Sequence, residues 1–208
     1  MSEYSFLIPM AIVFTFGTIS PGPSFILVAK TAVSKPIIEG IGVSLGLSIG
    51  AVFFALLAIF GLNALLEGVP LIYGILKVLG GIYLAYLAYK IWKHSDESIS
   101  MDVKIEKSSK SFLKAVLFGL LTQLSNPKTA IILGSIFAAL LPQELPAYSE
   151  LLLCLIVFSI DAIWYIGVVF LLSTKKSQKI YLQFKKYIDR IAAGLLAGLG
   201  VKLALEQA

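Results

Sequence analysis

The chain breaks two of its apolar stretches with proline, first at Ser20-Pro21-Gly22-Pro23 and again at Asn126-Pro127-Lys128. Proline lacks a backbone N–H and clashes with the preceding turn, so each stretch is expected to break or kink its helix. Within a bilayer, irregular backbone is tolerated only where protein or a water-filled cavity satisfies its polar groups. The two breaks are therefore candidate halves of one binding site for a small solute.

The composition is that of an integral membrane protein. Of the 208 residues, 58% are hydrophobic and only 14% are charged, with a mean hydropathy of +0.92. A soluble domain would carry about 25% charged residues. Several apolar runs reach the roughly 18–20 residues that cross a bilayer. The first run lacks a basic flank and is too long for a signal peptide, so we expect it to be a retained helix.

Several function classes are disfavoured by what the sequence lacks. The net charge of +5 comes from connecting loops rather than from a basic face interleaved with aromatics, so no nucleic-acid partner is predicted. Cys154 is the only cysteine and His94 the only histidine, so we predict no redox pair, metal site or cofactor. No apolar run holds a histidine or a Ser/His pair, which argues against a hydrolytic enzyme.

The placement of charge predicts the topology. Lys and Arg in short loops stay in the cytoplasm, and fourteen of the 17 basic residues fall in alternate links of a six-helix arrangement. We predict an all-α, polytopic membrane protein with both termini outside and a single transmembrane domain over residues 1–208. Its six spans are predicted at about 4–29, 37–62, 71–92, 112–141, 148–172 and 188–205. A cytoplasmic polar loop at about 93–111 joins the halves 4–92 and 112–205.

Each half holds three spans, so the second half is expected to run inverted relative to the first, and each half has its proline break in its first helix. Paired interruptions of this kind indicate a transporter site at the interface of two inverted repeats. Gly42, Gly46 and Gly50 are spaced by four in the second span, which lets another helix approach closely. Gly194 and Gly198 repeat that spacing in the sixth span. Such stripes pack helices within one chain or between two, so a homo-oligomer is compatible with them.

The breaks offer hydrogen-bonding groups to a ligand. The downstream half-helix begins with unpaired N–H groups and a partial positive charge, which suit a carboxylate. Gly22 lets a ligand approach the main chain without a Cβ in the way. Ser20, Ser24 and Asn126 could add side-chain hydrogen bonds to a ligand, or could only cap the breaks locally.

Two ionisable residues, Lys128 and Asp161, lie within apolar spans. Each costs about 2.5–3.5 kcal/mol at the centre of a span on insertion scales, so functional use is the default hypothesis. Lys128 could attract a carboxylate, and Asp161 could bind an ammonium, carry a coupling proton, or both. The alternative is a mutual salt bridge that holds the fourth and fifth spans together. With the breaks, the two charges suit a zwitterionic substrate.

These motifs resemble those of the LysE/RhtB family of amino-acid exporters. The run from Phe16 to Pro23, followed by the glycine-striped helix, is similar to the start of that family. Asn126-Pro127-Lys128 and the run from Asp161 through Trp164 to Tyr165 resemble its later signatures, and the resemblance covers nearly the whole chain. It implies a bacterial inner-membrane protein that exports amino acids such as lysine, threonine, homoserine or leucine by proton antiport. Trp164 then joins the residues expected at the substrate site.

Other readings stay open at this point. An exporter of cadmium, another cation or another small metabolite is the alternative within transport, although the spans hold little of the sulfur and imidazole that a soft metal prefers. A membrane redox protein would need a cysteine pair, and a scaffold would show no coupling of Asp161 to protons. Asp161 is the only acidic residue that we place deep inside a span, which favours a neutral over a dibasic amino acid. The expected partners are the amino acid, protons and membrane lipids.

Overall fold

The computed structural model describes residues 3–68, 70–95, 111–142 and 144–205, and within these ranges the only regular elements are α-helices. The predicted all-α class is confirmed. The central polar loop predicted at about 93–111 lies mostly outside the described residues. The eight helices are α1 (Leu7–Ile19), α2 (Pro23–Ser34), α3 (Ile37–Gly68), α4 (Pro70–Lys93), α5 (Phe112–Leu124), α6 (Pro127–Leu140), α7 (Ser149–Leu172) and α8 (Lys175–Leu205).

Two of the described helices are long and apolar enough to cross a membrane by themselves, α3 through its segment Ile37–Leu62 and α7 over its whole length. The number rises to four if each proline-broken pair is counted as one span. Both breaks are present as predicted. The helix axis turns by 57° between α1 and α2 and by 62° between α5 and α6. Pro23 and Pro127 each begin the downstream helix, where their missing N–H and fixed φ cost nothing.

Two predicted links are shorter than the sequence suggested. Helix α2 continues past residue 29 to Ser34, and α8 begins at Lys175, thirteen residues before the predicted span. The stretch 175–187 was predicted to be a link because it is basic and polar. It contains neither Gly nor Pro and is rich in Lys and Gln, which favour a helix regardless of hydropathy. The basic segment is therefore helical.

Glycines set the closest helix contacts. A Cβ at Gly46 would lie 2.7 Å from the backbone nitrogen of Leu120 and would overlap the carbonyl oxygen of Val116. Gly42 meets the start of α5 and Gly50 meets its end, so α3 and α5 run parallel in contact. The stripe in the second predicted span therefore packs helices within one chain.

The glycine stripe of α8 behaves differently. A Cβ at Gly194 or Gly198 would meet no atom of the described chain within 4 Å, so these two residues are not the packing positions that their spacing suggested. Gly200 takes that role, since its Cβ would lie 2.7 Å from the carbonyl oxygen of Gly81 in α4. At the other end of this antiparallel pair, the guanidinium of Arg190 lies 5.1 Å from the ring centroid of Trp92.

We expect Gly46→Ala to destabilise the protein by about 1–3 kcal/mol, since overpacking a well-packed contact costs that much. Here a Cβ meets backbone atoms, which cannot rotate away. The matched control is Gly61→Ala in the same helix, where a Cβ meets nothing within 4 Å of the described chain. Thermal unfolding in detergent should separate the two variants. Equal midpoints would contradict the packing role of Gly46.

Each unbroken helix packs against the broken pair of the other half. Helix α3 contacts α5 and α6, whereas α7 contacts α1 and α2. Helices α4 and α8 pack against each other. Two apolar clusters fill the spaces between them, one including Phe14, Ile136 and Leu196 and the other Phe25 and Val169. Helices α3 and α7 also contact each other, and the two broken pairs meet through α1 with α6 and through α2 with α5.

Candidate functional site

The two proline breaks are in direct contact. The ammonium group of Lys128, just after the second break, donates a hydrogen bond to the carbonyl oxygen of Ser20 in the first (Nζ–O 2.5 Å). This carbonyl stands at the end of α1, where a helix leaves its last acceptors without partners. The Lys128 stem passes over Gly22, at which an added Cβ would lie only 2.8 Å from Cδ. Gly22 thus admits a lysine side chain to the first break.

Asn126 acts as a local cap and also reaches the other break. Its Oδ1 accepts the backbone N–H of Lys128 at 3.0 Å and caps the first turn of α6. Its Nδ2 donates to the hydroxyl of Ser24 at 2.8 Å. The two uses predicted for this side chain, capping and reaching into the site, are thus compatible.

Asp161 projects from α7 between the two broken helices and is only 1% exposed. Its Oδ1 accepts a hydrogen bond from the Thr18 hydroxyl at 2.9 Å, and its Oδ2 accepts one from Nε2 of Gln123 at 3.1 Å. Thr18 belongs to α1 and Gln123 to α5. Each oxygen of the carboxylate is therefore held by the helix that leads into one of the breaks.

A continuous chain of hydrogen bonds follows from these contacts. Gln123 accepts at Oε1 from the hydroxyl of Ser24 (2.5 Å), which in turn accepts from Asn126. Thr18, Asp161, Gln123, Ser24 and Asn126 are thereby linked in that order, and each is at least nine-tenths buried. Buried polar groups that satisfy one another in this way define a single arrangement. The network joins α1, α2, α5, α6 and α7.

A cavity of about 20 Å³ lies against this network. Asp161, Ser20 and Tyr165 are among its lining residues. The hydroxyl of Ser20 is buried and has no hydrogen-bond partner in the described part of the chain. A cavity needs about 10–15 Å³ to hold a water molecule, so this one accommodates about one and is too small for an amino acid.

A larger vestibule of about 380 Å³ lies on the other side of the breaks. Its lining includes both proline breaks, the aromatic rings of Tyr83 and Tyr86, and the end of α4. Small-molecule pockets have volumes of about 300–1,000 Å³, so the vestibule is large enough for a small solute. Gly22, Asn126 and Lys128 line both the vestibule and the small cavity. The contact between Lys128 and Ser20 therefore lies at the boundary between the two spaces.

Lys128 and Asp161 do not form the salt bridge that was one of the two alternatives for them. In the described chain, the amine of Lys128 bonds to Ser20 and the carboxylate of Asp161 to Thr18 and Gln123, and no N–O pair of the two charged groups falls within 4.0 Å. Both nevertheless line the same small cavity. The two charges share one site without neutralising each other by contact.

The structure brings most of the predicted site residues together. Seven of them line the small cavity or the vestibule from the breaks themselves, and Ser24 and Asp161 line the small cavity. Trp164 does not line either space; it packs beside the apolar cluster around Phe25, and the next residue, Tyr165, faces the small cavity. The residues from the breaks that line the spaces are Ser20, Pro21, Gly22, Pro23, Asn126, Pro127 and Lys128.

Sequence reasoning missed Thr18 and Gln123, the two hydrogen-bond donors to Asp161. Each is a polar residue in an otherwise apolar helix and lies within one turn of a break, at two residues before Ser20 and three before Asn126. That proximity was the available signal. It also missed Asp189, which is 2% exposed and lines the vestibule, because its surroundings in the sequence are basic and polar.

Comparison with known proteins finds one matching family and several relatives that cover most of the chain. The sequence model of the family described as LysE type translocator matches residues 15–207. The chain is 31% identical to the threonine efflux protein of Salmonella typhimurium (strain LT2) over 203 residues, which cover 95% of this chain and 97% of that protein. It is 30% identical to the threonine efflux protein of Escherichia coli (strain K12), with the same coverage.

A more distant relative bears a different name. The leucine efflux protein of Enterobacter sp. (strain 638) is 26% identical over 194 residues, which cover 93% of this chain and 90% of that protein. No solved structure matches the chain significantly.

Proposed function

The chain belongs to the LysE family of translocators, and from this premise we propose that it exports small neutral amino acids from the bacterial cytoplasm in exchange for protons. The relatives carry the names of efflux proteins for threonine and leucine. The resemblance inferred from the two breaks and from the run at Asp161 is thereby confirmed at the level of the family. The substrate, the coupling ion and the site residues are our proposal.

One observation carries the proposal: two broken helices meet at a buried polar network that includes Asp161, and the ammonium of Lys128 bridges the two breaks beside it. Exposed helix ends and unpaired charges in an apolar bundle are costly unless a ligand or water uses them. In this site Lys128 takes the substrate carboxylate and Asp161 takes the ammonium or the proton. Ser20 and Ser24 supply hydroxyls at the first break.

The proposed topology has six spans, with both termini outside and the basic ends of the helices in the cytoplasm. The directions of neighbouring helices support it. In an alternating six-span chain, α3 and α5 run in the same direction and α4 and α8 in opposite directions, as their contacts require. The Tyr4 hydroxyl donates to the carbonyl oxygen of Ala147, which places the two predicted external segments side by side (3.1 Å). Residues 1–208 then form one transmembrane domain of two inverted halves in the inner membrane.

The charges around the vestibule favour a solute with a carboxylate over a cation. Three ammonium groups and one carboxylate are among its lining residues: Lys90, Lys128, Lys185 and Asp189. A low-dielectric cleft with an excess of one sign concentrates solutes of the opposite sign. A cadmium ion would be repelled from this entrance, whereas the carboxylate of a zwitterion would be attracted. The vestibule lies at the basic end of the bundle. In the proposed topology this end faces the cytoplasm, so the vestibule connects the site to the cytoplasm.

Asp161 is the proposed proton carrier. It is the only carboxylate among the described residues that line the small cavity, and an intramembrane acid beside a water-sized space is the usual element of a proton relay. Its two hydrogen bonds come from helices on either side of the site, so a change in its protonation alters what holds the two breaks together.

Efflux from proteoliposomes tests the function directly. Purified protein is reconstituted and loaded with labelled threonine, homoserine, leucine or lysine, and release is followed with and without an imposed proton gradient. We expect threonine, homoserine or leucine to leave faster than lysine, and the gradient to accelerate the release. If no amino acid moves while cadmium does, the proposed function is wrong. Gradient-independent release would overturn the proton coupling alone.

A further inference from the structure

The vestibule contains a buried ion pair that the proposed transport site does not use. Lys185 donates from Nζ to Oδ2 of Asp189 at 2.7 Å, one turn apart on α8. The same amine donates to the backbone carbonyl oxygens of His94 and Ser95, just after α4, at 3.2 and 3.4 Å. Lys185 therefore has three acceptors and ties the N-terminal half of α8 to the end of α4.

Asp189 is only half satisfied by this arrangement. Its Oδ2 is bound by Lys185, whereas its Oδ1 is buried and has no hydrogen-bond partner among the described residues. The residue is 2% exposed and lines the vestibule. A buried carboxylate oxygen without a donor is energetically unfavourable, because it has lost its hydration without gaining a hydrogen bond. Beside a cavity of ligand size, such an oxygen is a candidate acceptor for a hydrogen bond from a solute.

On the basis of the proposed export function, we propose that Asp189 forms an entry subsite in the vestibule, where its Oδ1 accepts a hydrogen bond from the α-ammonium group of an amino acid. The carboxylate of the same molecule faces Lys128, which lines the vestibule from the second break. A zwitterion needs one acceptor and one cation within a small space, and these two side chains supply them. Tyr83 and Tyr86 give the vestibule an aromatic wall beside the solute.

The subsite also suggests how the solute passes the break. A carboxylate that binds the ammonium of Lys128 competes with the carbonyl oxygen of Ser20, its present acceptor. A charged acceptor forms a stronger bond than a neutral one. Loading of the vestibule therefore draws Lys128 away from Ser20 and opens the boundary between the vestibule and the cavity beside Asp161. Asp189 selects for an ammonium group before the solute reaches the central site.

The subsite also bears on the charge of the substrate. Asp189 is a buried acidic residue that lines the vestibule in addition to Asp161 beside the small cavity, and a second acid at the site would favour a dibasic amino acid. Its charge is already balanced by Lys185 at 2.7 Å. The subsite therefore has one remaining acceptor oxygen for one ammonium group, which fits a neutral amino acid.

Uptake into everted membrane vesicles tests the subsite, because the cytoplasmic face of the protein is then outside. Labelled threonine is the solute, and unlabelled threonine and 2,3-dihydroxybutanoate, its analogue with a hydroxyl in place of the ammonium, are the competitors. Leucine and 2-hydroxy-4-methylpentanoate replace them if leucine is the transported solute. In the wild type we expect the amino acid to compete about tenfold better or more. In Asp189→Asn we expect this ratio to fall about tenfold, and the KM for threonine to rise.

The ratio of the two competitors does not depend on how much of the variant folds, so a loss of protein alone leaves it unchanged. Glu150→Gln, in the first turn of α7 at the opposite end of the bundle, is the matched control and should keep the wild-type ratio. An unchanged ratio in Asp189→Asn, with transport intact in the wild type, would overturn the entry subsite and leave the export function standing. Absence of amino-acid uptake by the wild type would overturn both.

Discussion

Asp161→Asn is expected to abolish the response of amino-acid export to a proton gradient while the protein remains folded. Asparagine is nearly isosteric and still offers an oxygen to Thr18 or Gln123, so the helices α1 and α5 keep one of their two bonds to α7. It cannot take up or release a proton. We expect the gradient-stimulated rate to fall at least about tenfold, which corresponds to about 1.4 kcal/mol. Efflux from proteoliposomes, with and without the gradient, measures it.

Thr18→Val is the matched control for this prediction. It removes the hydrogen bond to Oδ1 of Asp161 but keeps the carboxylate and its bond from Gln123. We expect Thr18→Val to lower stability by about 1 kcal/mol, the typical net contribution of a hydrogen bond, and to keep the gradient response. If Asp161→Asn retained the response of the wild type, Asp161 would not be the coupling residue. If both variants lost it equally, the network rather than the proton would be responsible.

The parts of the fold that could be predicted are those that local chemistry determines. Pro21, Pro23 and Pro127 cannot continue a helix, so both breaks were predictable residue by residue. The cost of an isolated charge in an apolar helix identified Lys128 and Asp161 before any contact was known. Gly46 was predictable as a close approach, because its spacing from its neighbours follows the helical period.

The parts that could not be predicted depend on which helices meet. Gln123 contacts Asp161 only because α5 and α7 pack on either side of the site, and its position near the break does not by itself indicate which side chain it meets. Asp189 stands at the start of the predicted sixth span, directly after a basic, polar run, and only its burial against the end of α4 makes it part of the vestibule. Gly194 and Gly198 show the converse, since their spacing predicts a contact that no other helix of the described chain makes.

The partners of Lys128 also had to come from tertiary structure. The sequence left two alternatives, a salt bridge to Asp161 or attraction of a substrate carboxylate. In the structure the ammonium is held by a backbone carbonyl of the other break, which is a weaker acceptor than a carboxylate. This hydrogen bond stabilises the partly buried ammonium group of Lys128. A substrate carboxylate, as a stronger acceptor, can still replace the carbonyl oxygen. This is the property that a transient substrate contact needs.

Lys128→Met is therefore expected to weaken substrate binding more than it weakens the fold. Methionine keeps an unbranched apolar stem over Gly22 and removes only the ammonium, so the packing at the first break is largely preserved. A hydrogen bond between charged groups contributes about 1.5–3 kcal/mol, so we expect the apparent affinity for the amino acid to fall about 10- to 150-fold. Competition in everted vesicles measures this, and thermal unfolding measures the fold.

Two further variants distinguish the effect of the Lys128 charge from the effect of where its side chain lies. Lys90→Met removes an exposed ammonium that also lines the vestibule, and we expect it to change affinity only about twofold, because exposed charges interact weakly. Gly22→Ala keeps the Lys128 charge but pushes its Cδ away from the break, where an added Cβ would lie 2.8 Å from it. We expect an intermediate loss of affinity. If Lys128→Met bound its substrate as the wild type does but unfolded at a lower temperature, the lysine would serve only to hold the two breaks together.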